Sequence, residues 1–144
     1  MAGLNFPRWL APALVILLIA GVVAASRLLR PAEVPAVALA CPELQAGCTG
    51  RLDGREVTLG IRGELKALTP FEVWLQAPGA DSVQASFTME GMDMGFNLYT
   101  LRADAAGVYR ARITLPVCVS GRRDWVMTLH IDGRTLTVPF VTQL

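Results

Sequence analysis

From position 51 onward apolar and polar residues alternate with period two, in short segments separated by turn residues. In "REVTLGIR" the residues Val57, Leu59 and Ile61 share a face, and in "FEVWLQA" Phe71, Val73, Leu75 and Ala77 do so. After "PGADS", Val83, Ala85, Phe87 and Met89 point one way while Gln84, Ser86 and Thr88 point the other, which makes Met89 a core residue. "FNLYTLR" alternates poorly, so its boundaries are soft. In "VYRARITL" the inward row is Tyr109, Ala111, Ile113 and Leu115, with Arg110 and Arg112 outward. About seven such segments with turns between them predict an antiparallel β-sandwich of immunoglobulin-like type.

The last two segments, "DWVMTLHI" and "RTLTVPFV", flank Asp132-Gly133, a dipeptide suited to a two-residue type I′ hairpin. That turn pairs Leu129 with Leu136, Met127 with Val138 and Trp125 with Phe140 on one apolar face. His130 then pairs with Thr135 and faces outward with Thr128 and Val126. Pro139 cannot donate to a ladder, so the final strand is expected at an edge or ending in a bulge.

The N-terminal pattern is different in kind. Residues 9–25, "WLAPALVILLIAGVVAA", carry no charge. As a helix this run spans about 26 Å at about 1.5 Å per residue, near the lower limit for a bilayer, and Leu28 and Leu29 extend it if Arg27 snorkels. It reads as a membrane anchor, with a signal peptide as the alternative because residues 23–25 and 24–26 resemble small-residue cleavage sites. Arg8 on one side and Arg27 and Arg30 on the other leave the orientation undetermined by the positive-inside rule. Cys41 in "VALAC" stands beyond two arginines and a proline, which argues against lipidation. The chain thus divides into an anchor at 1–30, a proline-rich linker with a cysteine-clipped loop at 31–50, and a sandwich at 51–144.

A net charge of +1, from 13 basic and 12 acidic residues spread along the chain, offers no field for nucleic acid. One histidine, no paired carboxylates and no phosphate loop leave an enzyme without support. The remaining chemistry is sulfur.

Cys41 and Cys48 enclose "PELQAG", a short loop that a disulfide can close in an oxidising compartment. Three cysteines allow three single bridges; the short loop favours Cys41 with Cys48 and leaves Cys118 odd. Met92 and Met94, in "EGMDMG", project to the same side of an extended segment, as half of a thioether site of the kind Cu(I) accepts. Equally, they can be adaptable filler at the open end of the sandwich. If successive strands are antiparallel, the loops alternate between two ends. "GELKALT", "EGMDMG" and "PVCVSGRR" then share one end, and "PGADS", "ADAAG" and Asp132-Gly133 the other. Met92, Met94 and Cys118 would form an S₃ metal site, with Arg122 and Arg123 lowering the thiol pKa. The alternatives for Cys118 are a small buried hydrophobe or a bridge to Cys41 or Cys48.

"MDMG" at 92–95, "GVYRA" at 107–111 and "GRRDWVMTLHIDG" at 121–133, behind an N-terminal span, resemble the YtkA-like and FixH-like domains. The likeness covers about the C-terminal half, at Met92, Met94, Gly95, Gly107, Tyr109 and Trp125; this chain differs at "GRRDW" and adds Cys118. The resemblance implies a single-pass inner-membrane protein with a periplasmic immunoglobulin-type sandwich, associated with copper handling or assembly of a membrane haem-copper oxidase. The competing expectation is a non-metal interaction module that meets another envelope protein through Arg110, Arg112, Arg122 and Arg123.

Overall fold

Alternating side chains make strands here because each segment can hide one row against a second sheet. In the computed structural model, which describes residues 10–28, 35–89, 92, 97–118 and 120–143, the chain forms two compact units, Met1–Glu33 and Val34–Leu144. The described part of the first is α1, Leu10–Leu28. Leu14, Val15, Ile16, Leu17, Leu18 and Ile19 are all exposed. At about 100° per residue, six consecutive positions go right round the helix, so α1 has no polar face among them. Among the described residues, no helix is long and apolar enough to cross a membrane.

The second unit contains β1 (Val37–Ala38), β2 (Cys48–Leu52), β3 (Arg55–Arg62), β4 (Phe71–Gln76), β5 (Val83–Met89), β6 (Leu98–Thr100), β7 (Arg102–Ala103), β8 (Val108–Ile113), β9 (Asp124–Ile131) and β10 (Arg134–Val141). They make two five-stranded sheets, ordered β1-β10-β9-β5-β6 and β2-β3-β4-β8-β7. The inner rows meet in a single core. Val57, Leu59 and Ile61 of β3 and Val73 and Leu75 of β4 are buried from one sheet. Ala85 and Phe87 of β5, Met127 and Leu129 of β9, and Leu136 and Val138 of β10 are buried from the other. Phe87 packs edge to face with Phe71 of the opposite sheet at 6.2 Å and with Tyr99 of its own sheet at 5.9 Å. Each fully buried side chain of this size contributes about 1.5–3 kcal/mol, which makes these rows the main force holding the sheets together.

The final hairpin has the expected register, with Leu136 opposite Leu129, Val138 opposite Met127 and Phe140 opposite Trp125. Asp132 and Gly133 have φ of 49° and 78°, the positive values a type I′ turn requires. His130 pairs with Thr135 and with Gln84 on the outer face. Pro139 is accommodated because β1 pairs with β10 only at Leu136 and Thr137. Beyond that point the Pro139 side of the strand is an edge.

Three expectations are corrected. The sandwich begins before Arg51. Residues 37–50, read as linker, supply β1 and β2, and Cys41 and Leu44 are buried in the core. Pairing there is main-chain hydrogen bonding that does not need alternating side chains, so the sequence pattern did not mark it. The sandwich is not wholly antiparallel, because β1 runs parallel to β10. Finally, "FNLYTLR" is not one strand: β6 pairs with β5 in one sheet, and β7 pairs with β8 in the other. Leu101, between them, is buried. A chain that changes sheets turns its inward face over at the crossing, which explains the broken alternation.

Candidate functional site at the cysteine rim

Antiparallel pairing carries the termini of β5 and β9 to the same end of the sandwich, where Met89 lies opposite Trp125. Met92 folds back onto this end, its N–H donating to the Met89 carbonyl at 3.0 Å, and its side chain packs half-buried against the core. The chain re-enters at Asn97, whose Nδ2 donates to the Phe87 carbonyl at 2.9 Å. Met94 and Gly95 lie outside the described residues.

Cys118 sits in the crossover from β8 to β9 at this same end and also packs half-buried against the core. It is a free thiol, with Sγ 2.9 Å from Ser120 Oγ. Ser120, through its hydroxyl and then its N–H, holds the thiol below its ordinary pKa, with a smaller contribution from Arg122. The arginine pair expected to do this is therefore secondary to a serine two residues away. Cys41 and Cys48 are joined as a disulfide, Cα to Cα 5.7 Å.

Three segments are laced together around Cys118 by main-chain bonds. The Gln143 N–H donates to the Leu65 carbonyl at 2.7 Å, the Thr142 N–H to the Arg123 carbonyl at 3.0 Å, and the Leu68 N–H to the Leu115 carbonyl at 2.9 Å. Between them lies a cavity of about 300 Å³ with Cys118, Lys66, Arg122, Arg123, Trp125 and Thr142 in its wall. Sequence reasoning placed the loops at this end but missed Lys66 and Thr142 as wall residues. Carrying the alternation of ends through the last strand would have found Thr142, because β10 must finish where β9 starts.

At the opposite end Asp132 binds the β4–β5 crossover through the Asp81 and Ser82 N–H groups at 2.9 and 3.0 Å. The Tyr109 hydroxyl donates to the Ala80 carbonyl there. Tyr109 and Ala111 are half-buried, short of the full burial expected for their row. Of the four arginines considered as a docking surface, Arg110 is held by Asp104 and Glu72, both at 2.8 Å, and Arg122 Nε donates to Asp124 at 3.0 Å.

The donors at the cysteine rim are soft. Met92 offers a thioether and Cys118 a thiol held below its ordinary pKa, both donor types that soft metals accept. No group of three or more His, Cys, Asp or Glu side chains able to hold a metal occurs among the described residues. Compared with protein-family models, characterised proteins and solved structures, the chain finds no match.

Proposed function

We propose that this protein is a membrane-anchored, exported β-sandwich that binds Cu(I) at its cysteine rim, in the manner its resemblance to YtkA-like and FixH-like domains implies. The observation that carries the reading is the placement of Met92 and Cys118, 26 positions apart in sequence, at the same end of the sandwich. A thioether stays unprotonated in mild acid, and a thiol held below its ordinary pKa loses its proton more readily to a metal. Met94 joins the set on sequence spacing alone.

The anchor is supported by the uninterrupted apolar run and by the exposure of apolar side chains on every side of α1. At about 1.5 Å per residue α1 reaches about 28 Å, close to a hydrocarbon core of about 30 Å. The Cys41–Cys48 disulfide favours export, since such bridges persist on the oxidising side of a membrane.

The test is a Cu(I) titration of the full chain in detergent against a chromophoric chelator, with ascorbate as reductant so that the disulfide survives. Cys118→Ser and the double variant Met92→Leu, Met94→Leu should each weaken binding by about tenfold or more, since loss of even a residue that only hydrogen-bonds a metal ligand costs about 10–100-fold. Undiminished affinity in both, with the fold intact by circular dichroism, would leave the methionines as packing and favour the interaction-module reading. A reporter fused after Leu144 should be active only on the exported side.

A further inference from the structure

The cavity beside Cys118 carries more than a metal donor needs. Among the described residues its wall includes Lys66, Arg122 and Arg123, and no acidic residue. Arg122 is paired with Asp124, whereas Lys66 and Arg123 have no ion-pair partner among the described residues. Lys66 and Arg123 thus bring positive charge to the wall that no described acidic residue neutralises, which favours an anion. Thr142 supplies a second, separate indication. It is the one polar side chain buried among the described residues, 4% exposed, and it lines this cavity. Its hydroxyl has no hydrogen-bond partner among the described residues. The hydroxyl is not one of the described polar atoms sealed from solvent without a partner, so it keeps a donor and an acceptor open to a ligand in the cavity. Trp125 and the apolar part of the wall would cover the body of such a ligand.

We propose that this cavity binds a small carboxylate-bearing thiol and that Cys118, at its wall, exchanges with the disulfide of that thiol. In the step, the Cys118 thiol first gives its proton to water. The thiolate attacks one sulfur of the symmetrical disulfide, a new S–S bond forms to Cys118, and the original S–S bond breaks. The leaving half departs with the bonding electron pair and takes a proton from water. Cys118 is oxidised to a mixed disulfide, one half of the reagent is reduced to a thiol, and no other oxidant is required. The retained half places its carboxylates toward Lys66, Arg123 and the Thr142 hydroxyl. A volume of about 300 Å³ is at the lower end for ligand sites and suits one such arm.

The inference does not rest on copper binding. A thiol in a mixed disulfide is not available to Cu(I), so the assay is run without metal, and its failure would leave the titration result standing. The full chain in neutral detergent is treated separately with oxidised glutathione (anionic), hydroxyethyl disulfide (neutral) and cystamine (cationic). The adduct on Cys118 is followed by intact mass over time. Oxidised glutathione should react at least about tenfold faster than the neutral reagent, the lower end of the enrichment that a one-sign cleft produces, and cystamine should be slowest. The double variant Lys66→Ala, Arg123→Ala should reduce the anionic preference, taken as the ratio of the oxidised-glutathione rate to the neutral rate in the same variant, to about twofold or less. Thr142→Val, nearly isosteric, should slow oxidised glutathione alone. Equal rates for the three reagents, or an anionic preference that survives the double variant, would overturn the proposal. A variant that slows all three reagents by the same factor would overturn it equally, since the preference would then not depend on the side chain removed.

Discussion

Asp132, in the turn between the last two strands, accepts a hydrogen bond from Arg55 at the start of β3 at 2.8 Å, and so joins the two sheets at one end of the sandwich. Its other oxygen accepts the two N–H groups of the β4–β5 crossover. One carboxylate therefore closes the gap between three segments that the core does not fill.

The consequence is a defined acid sensitivity. Arg55 first, then the Ser82 and Asp81 N–H groups, lower the Asp132 pKa from 3.8 to about 2. A folded value below the unfolded one means that the stabilisation is fully present above pH about 4 and is lost as pH falls toward 2. Asp132→Asn keeps the turn conformation and an oxygen for the backbone donors but removes the ionisation. Melting curves should show the native protein ahead of the variant at pH 5, with the gap closing between pH 4 and 2. Parallel curves over that range would mean that the Arg55 contact does not respond to charge.

Gly60 should tolerate no side chain. A Cβ there would lie 2.6 Å from Trp74 Cζ2 and 2.9 Å from the Leu44 carbonyl oxygen. That oxygen accepts the Ile61 N–H at 3.0 Å and belongs to the disulfide loop, so it cannot yield without breaking a bond. Gly60→Ala should cost about 1–3 kcal/mol by urea denaturation, the range for overpacking. Adding Trp74→Leu should recover part of the loss. A variant as stable as the parent would place the indole elsewhere.

Leu68 offers the opposite change. It is 66% exposed yet holds φ at 60°, in the left-handed region, with its N–H fixed to the Leu115 carbonyl. A leucine there costs about 1–2 kcal/mol and buries little in return. Leu68→Asn, which tolerates this conformation, should raise stability by about 0.5–1 kcal/mol, and Leu68→Val should lower it by about 1 kcal/mol. If both variants melt at the same temperature, the loop has relaxed to another conformation.

Local pattern determined much of this protein. The alternation in β3, β4, β5, β9 and β10, and the register that Asp132-Gly133 imposes on Trp125 and Phe140, were legible because a strand has a fixed period and a two-residue turn has few conformations. The alternation of loop ends also placed Met92 and Cys118 on one rim, since reversal at each turn is a topological constraint. Tertiary structure alone decided the rest. That "FNLYTLR" divides between two sheets, and that residues 37–50 join the sandwich, depends on main-chain partners from distant segments. The cavity depends on the same thing: Lys66, Cys118, Arg123 and Thr142 come from three separate segments, laced together by backbone bonds. Side-chain order records which face a residue takes; the carbonyl that meets a given N–H is set by where the whole chain closes.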